Sequence, residues 1–215
     1  MKYLFSIYFF LFSFTSLAQG SVRVEYMQTN FINGEMKTLK NTVFELVGND
    51  NFSYFNCKKI PSNRDDLKYT ILMSSNEPYY TDLKENTVLA EISINKKYLY
   101  NLKHPGKLSV TKDTITISGI KCRKAILVQK KYSEKYKKTF ERIITLWYAE
   151  DIPLPFGPLG YFGLPGLILK VHIPYKGEMI AKKVFINNED KHIPKFAPKD
   201  LEIITDEELK KISDF

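Results

Sequence analysis

From Val22 to Phe31 apolar and polar residues alternate, with Val22, Val24 and Tyr26 on one side of an extended chain and Arg23 and Glu25 on the other. That two-residue period is the mark of a half-buried strand. Asn33-Gly34 follows as a turn signal. Thr42–Val47 and Phe52–Cys57 read as two short strands around Gly48-Asn49-Asp50-Asn51, a hairpin spacing. The stretch 60–82 is polar and broken by Pro61 and Pro78, with Tyr69–Met73 as one short strand inside it. Thr87–Ile94 and Tyr98–Leu102 form the next pair. Lys107–Ile117 alternates around a turn-like Lys112-Asp113 and stops at Ser118-Gly119. Ile120–Tyr132 and Phe140–Tyr148 are long partners across the charged turn Ser133–Lys138, and Leu167–Ile173 pairs with Met179–Ile186. Helix signals are few. Thr205 and Glu208 make a capping box that opens a short helix, Asp206–Ile212. The pattern predicts one antiparallel sheet of about nine to eleven strands, mainly β with few short helices.

The N-terminus departs from this pattern. Lys2 precedes an almost wholly apolar run, Tyr3–Phe14, and Ser16-Leu17-Ala18 supplies small residues for cleavage between Ala18 and Gln19. This is the layout of an export signal, too short to span a hydrocarbon layer of about 30 Å. Residues 1–18 are therefore read as a signal peptide and 19–215 as a single domain, with the protein exported to the periplasm, the outer membrane or the exterior. No later segment is long and apolar enough to cross a membrane as a helix.

Charge adds one feature. The formal net charge is +8, or +7 once Lys2 leaves with the signal. The excess gathers between Lys121 and Arg142, where basic residues outnumber Glu134 and Glu141. Such a hairpin reads first as a solvated face that keeps a sheet edge soluble, and otherwise suits peripheral contact with an anionic surface or an acidic partner. Nucleic acid is not an expected partner, since no recognised module for it is present. The two cysteines, Cys57 and Cys122, allow one intramolecular disulfide in an oxidising compartment. A buried free thiol fits the strand around Cys122 equally well.

The segment 151–170 differs from its surroundings. It holds Pro153, Pro155, Pro158 and Pro165, with Gly157, Gly160, Gly163 and Gly166 at every third position. Four such units cannot sustain a collagen helix, and no Gly-x-Gly opens a phosphate-binding helix. Prolines at this density forbid helix and interrupt sheet pairing. Leu154, Phe156, Leu159, Tyr161, Phe162, Leu164 and Leu167 are too apolar for a solvated linker. An ordered loop packed on its own aromatics reconciles the two.

Trp147-Tyr148-Ala149-Glu150-Asp151-Ile152-Pro153-Leu154-Pro155-Phe156-Gly157-Pro158, followed by Gly163-Leu164-Pro165-Gly166-Leu167-Ile168-Leu169, resembles the signature of the GLPGLI family. Gly119–Ala125 resembles a second block of that family. The family consists of exported proteins, mostly from Bacteroidota, without an established biochemical activity. The resemblance therefore implies no catalytic residues. The strand order also resembles the incomplete β-barrel of periplasmic lipoprotein carriers, an analogy of fold that does not carry function with it.

Recognisable catalytic chemistry is absent from the sequence. His104, His172 and His192 lie far apart without metal spacing, and no serine occupies a Gly-x-Ser-x-Gly elbow. Glu150-Asp151 reads as a turn pair rather than an acid–base pair, because neighbours in a strand point to opposite faces. No catalytic, metal or cofactor site is expected, and a hydrolase is the least favoured reading. The expectation is a non-enzymatic binding or accessory protein for an apolar ligand, an acyl chain or a hydrophobic peptide. Its alternative is an interaction partner of outer-membrane receptor or transport machinery. The aromatics Trp147, Tyr148, Phe156, Tyr161 and Phe162 suit either a ligand surface or a packed core.

Overall fold

The computed structural model describes residues 20–39, 42–59, 78–104, 106–133, 136–187 and 195–213. Thirteen strands form one sheet among these residues: β1 (Ser21–Ile32), β2 (Glu35–Thr38), β3 (Val43–Asn49), β4 (Phe52–Lys59), β5 (Tyr79–Asp82), β6 (Thr87–Ser93), β7 (Lys97–Asn101), β8 (Lys107–Ile117), β9 (Ile120–Ser133), β10 (Lys138–Ala149), β11 (Leu167–Ile173), β12 (Gly177–Ile186) and β13 (Ile203–Ile204). The helix α1 spans Asp206–Ser213. Its capping box is formed: the Thr205 amide donates to Glu208 Oε2 at 2.8 Å and the Glu208 amide to Thr205 Oγ1 at 3.3 Å.

The strand order is β13-β7-β6-β5-β4-β3-β1-β12-β11-β10-β9-β8, with β2 added beside β1. Two meanders, β3–β7 and β8–β12, are thus joined by β1, which pairs with β3 through residues 21–26 and with β12 through residues 22–30. Register shifts interrupt β1 at Glu25/Tyr26, β3 at Val43/Phe44, β8 between Val110 and Thr114, and β10 at Trp147/Tyr148. Each such irregularity bends its strand and increases the local twist. The result is an open sheet strongly curled on one face. The β8–β9 turn reaches back across that face, where Ser118 Oγ donates to the Ala181 carbonyl of β12 at 2.8 Å.

One apolar cluster fills the inner face. It unites Val22, Val24 and Tyr26 of β1 with Phe44 and Phe55, with Cys122, Ala125 and Leu127 of β9, and with Ile144, Leu146 and Tyr148 of β10. Phe44 and Phe55 stack at 5.7 Å, and Tyr26 meets Phe55 edge-on at 6.0 Å. The outer edge strand β8 is mostly exposed and carries Lys107, Lys112 and Asp113, a charged and irregular rim that discourages further pairing.

The expected hairpins are present, and the sheet stays unclosed, as an incomplete barrel requires. Three short strands fall outside the alternation pattern. β5 lies in the polar stretch, β2 is exposed throughout, and β13 is only two residues long. The sheet is also not wholly antiparallel, because Ile203 and Ile204 run parallel to Leu99 and Tyr100. The expected strand Tyr69–Met73 and the signal segment with its cleavage point lie outside the described residues.

Tyr26 ties the two halves together, its hydroxyl donating to the buried Ile168 carbonyl at 2.7 Å. Tyr26→Phe is expected to cost about 1–3 kcal/mol, because the carbonyl is left buried without that partner. Urea unfolding reads this as a lowered midpoint at unchanged slope, while Tyr175→Phe, at an exposed turn, shifts stability by less than about 0.5 kcal/mol.

Candidate functional site

The segment between β10 and β11 crosses the inner face of the sheet and plugs it. Ile152, Leu154, Phe156, Leu159, Tyr161 and Leu164 are all buried. Leu154 lies beside Gly20, Phe156 beside Gly48 of β3, and Gly160 beside Tyr79 of β5 and Val88 of β6. The backbone solves its own hydrogen bonding in a proline-specific way. Amides of Leu154, Phe156 and Gly166 donate to the carbonyls of Ile152, Leu154 and Leu164, each at 2.8 Å. Each of these two-residue bonds spans a proline, whose fixed φ suits an inverse γ-turn. Phe156 and Phe162 form an isolated bridge that closes the tip, and Pro158–Gly160 makes one 3-10 turn.

Every residue of the hexapeptide 163–168 has a structural task. Gly163 holds φ +90°, and Leu164 enters the core. Pro165 is exposed at the centre of its γ-turn. A side chain at Gly166 would place its Cβ 2.1 Å from the Ala149 carbonyl oxygen. The Leu167 amide donates to Ile152 at 3.0 Å. Ile168 lies beyond the part of β11 that pairs with β12, which begins at Lys170. Its amide donates instead to Phe156 at 2.8 Å, and its carbonyl accepts from Tyr26. The motif thus specifies a plug and its fastening. Upstream, Gly157 packs where a Cβ would meet Ile168 at 2.6 Å, Pro158 is buried and Pro153 exposed, with Pro155 half-buried between them. Tyr148 is in the core, and Trp147 is half-buried with Lys124 over its ring at 5.8 Å. Of the aromatics expected near a ligand, Tyr148, Phe156 and Tyr161 therefore fill the core.

Other sequence candidates resolve as follows. Glu150 receives Arg123 at 3.1 Å and the Tyr148 hydroxyl at 3.3 Å, while Asp151 is exposed in the turn. Cys57 and Cys122 are free thiols, and burial pushes both up to about 11. His172 lies 3.9 Å from Glu178, and His192 is outside the described residues. No group of three metal-ligating side chains occurs among the described residues. No helix among them is long and apolar enough to cross a membrane.

Two surface features do stand out where the plug meets the mouth of the sheet. A cavity of about 330 Å³ has Tyr79, Lys103, His104, Gln129, Lys130, Arg142, Tyr161 and Lys176 among its lining residues. His104, which shows no partner by spacing in the sequence, is packed against the plug. Its ring stacks on Tyr161 at 4.0 Å, and its Nε2 lies 3.1 Å from the Leu159 carbonyl, so that nitrogen carries the proton and donates. Burial first, and then the Arg142 charge, hold His104 below its ordinary value of 6.5. Burial likewise pushes the Tyr161 hydroxyl well up, although Arg142 opposes the shift. Beside this cavity a groove of about 840 Å³ runs along Tyr132, Tyr136, Phe140, Ile143, Pro174 and Tyr175. These five large side chains other than proline are all exposed, Tyr175 to 89%. In sequence this hairpin reads as two long strands across a charged turn, with a basic surface and no groove. The aromatics flanking its tip were the signal that it held more.

The fold and the plug define a class: a single open, curled β-sheet whose inner face is filled by its own Pro/Gly loop. The chain belongs to the family described as "Protein of unknown function (Porph_ging)", which matches residues 34–170. It is also similar to PNGF-II in two solved structures, in space groups P21 and C2, at 16% identity in each. The TM-scores are 0.57 and 0.53, with 91% of this chain covered in both. Only 33% and 32% of the PNGF-II chains are covered, so this chain spans about a third of their length. The likeness is one of fold. No curated protein matches the sequence.

Two outcomes test the site's construction. Gly166→Ala is expected to destabilise by about 1–3 kcal/mol or more, since backbone must move to admit the methyl, whereas exposed Pro165→Ala costs less than about 1 kcal/mol; urea unfolding separates the two. For His104, the depressed value means that the unfolded chain binds the extra proton, so stability present above pH 6.5 is lost as pH falls below it. His104→Gln should flatten that part of the stability profile, read from unfolding midpoints across the pH range.

Proposed function

We propose that this chain is an exported, non-enzymatic binding protein that engages an apolar ligand, an acyl chain or a hydrophobic peptide, at the aromatic groove of its β9–β10 hairpin. The observation that carries this reading is the groove of about 840 Å³ with its exposed Tyr132, Tyr136, Phe140, Ile143 and Tyr175. Ligand sites in proteins fall in the range of about 300–1,000 Å³ and are lined mostly by apolar and aromatic side chains. Exposed apolar patches of this kind on a chain that is otherwise well packed mark interaction sites. The inner face of the sheet offers no such room, because the loop fills it, so the ligand surface moves from the interior to the mouth. The GLPGLI resemblance of residues 147–169 and the N-terminal signal pattern support export. The rim position of the groove also supports a second reading, docking onto an outer-membrane protein, since exposed Tyr175 and the basic hairpin project together.

The protein purified after expression of the full chain is expected to bind fluorescent fatty acids or hydrophobic peptides in the micromolar range, by fluorescence titration. Phe140→Ser with Tyr175→Ser should weaken binding about tenfold or more, as loss of two buried aromatic contacts does. Absence of binding by the unsubstituted protein would sink the ligand reading. Recovery of one defined envelope protein that is lost in the double variant would then favour docking.

A further inference from the structure

The end of the β9–β10 hairpin stands clear of the rest of the sheet. β8 begins opposite Val128, and β11 pairs with β10 only from Thr145 inward. Five cross-strand pairs beyond those points, from Arg142–Gln129 to Lys138–Ser133, have no further strand beside them among the described residues. At strand spacing they make a two-stranded finger roughly 15 Å long. A free ribbon of this kind is marginal in water unless its apolar side chains are covered. It carries them on both faces. Phe140 shares the face of the buried Ile144, while Tyr132 and Ile143 lie on the opposite one. Tyr136 at the tip meets Phe140 edge-on at 6.0 Å, and Tyr175 of the β11–β12 turn lines the same groove. These five side chains are 45% to 89% exposed. One small ligand or one flat partner covers a single face of such a ribbon, whereas a fluid medium surrounds it. The charge points the same way. Residues 128–143 hold six lysines or arginines against Glu134 and Glu141, a net charge of +4 however these groups pair among themselves. Lys137 and Lys138 are exposed at the tip. Exposed rings within a field of that sign complement the acyl boundary and the anionic headgroups of a lipid surface.

We propose that this finger is a peripheral membrane anchor, seating its tip among the headgroups of an anionic bilayer. The proposal rests on the reading of this surface as one that meets acyl chains, and takes those chains from a bilayer instead of a free ligand. The backbone sets the depth. The outward N–H and C=O groups along the two sides of the ribbon face no further strand, so they cannot enter hydrocarbon. Seating is therefore confined to the wet headgroup zone. Tyr132, Tyr136 and Tyr175 suit that depth, each with a ring for the acyl boundary and a hydroxyl for water. Phe140 and Ile143 supply purely apolar area beside them. Lys137 and Lys138 reach lipid phosphates on apolar stems. Lys130 offsets Glu141 across the ribbon at 3.9 Å, which leaves the excess positive.

The test is co-sedimentation of the protein, expressed as the full chain, with two sets of vesicles. One set is phosphatidylcholine alone, the other three parts phosphatidylcholine to one of phosphatidylglycerol. Mass spectrometry checks that residues 1–18 are absent, because their apolar run would bind vesicles by itself. The anionic set is expected to bind about tenfold or more tightly, and about 0.5 M salt to remove most of that gain by shortening the Debye length to roughly 4 Å. Lys137→Glu with Lys138→Glu should weaken binding to the anionic set about tenfold or more. Lys182→Glu with Lys199→Glu makes the same change of net charge at exposed positions outside the hairpin. That pair should weaken binding less than about threefold. Tyr132→Ser with Phe140→Ser, one ring from each face, should weaken binding to both sets about fivefold or more. Far-UV circular dichroism and unfolding midpoints confirm that the variants are folded. Equal losses in the two charge-reversed pairs would overturn the finger as the anchor, since net charge alone would then explain binding. Failure to bind either set, with fluorescent fatty acids still bound, would overturn the anchor and leave the reading of the groove standing. Failure with vesicles and fatty acids alike would overturn both. Recovery of one defined envelope protein by a chain that binds no vesicle would overturn the anchor in favour of docking onto protein.

Discussion

A sheet that curls this far encloses, on its inner side, more volume than the side chains of its own strands can fill. Protein interiors are packed to nearly crystalline density, and an unfilled apolar cavity costs stability in proportion to its size. The segment between β10 and β11 meets that demand, lying across the concave face and contributing Ile152, Leu154, Phe156, Leu159, Tyr161 and Leu164 to one cluster with the strands. A plug must satisfy its backbone as well as its side chains. The prolines remove donors and close γ-turns, and the amides of Leu154, Phe156, Tyr161, Gly163 and Gly166 find carbonyls within the loop, as those of Leu167 and Ile168 do on Ile152 and Phe156. The bond from Tyr26 to Ile168 then fastens this assembly to the strand that joins both meanders.

That arrangement decides where binding chemistry has space. With the interior occupied, the open regions lie at the mouth, where the long hairpin of β9 and β10 extends beyond the core. The hairpin's basic character is also partly spent in structure there and along its length. Arg123 pairs with Glu150, Lys124 with Asp113, and Lys130 more distantly with Glu141. Arg142 stands where the cavity meets the groove, with Tyr161 and His104 on the cavity side and Glu141 on the groove side. A similar fold occurs within the much longer PNGF-II chains, and a likeness of fold says nothing of a shared ligand.

The divide between what was legible and what was not follows the range of the interactions. Alternation along β1, β9, β10 and β12, the hairpin turns and the capping box are local signals, and each is present where its residues place it. The loop's packed nature was equally legible, because prolines that forbid regular structure and apolar residues that avoid water leave few other solutions. The strands β2, β5 and β13 were not, since pairing in such short segments is decided by the neighbouring strand and not by their own pattern.

The amino-acid sequence by itself determined a β-rich chain, its principal hairpins, and a Pro/Gly segment that must pack. Only the tertiary structure decided that this segment is a plug, that Gly166 is needed for close approach to Ala149, and that Cys122 lies in the core as a free thiol. It alone brought His104, Arg142, Tyr161 and Lys176 around one cavity. These four come from separate segments with no shared spacing, and their meeting depends on the curvature of the whole sheet, which no local window of sequence contains.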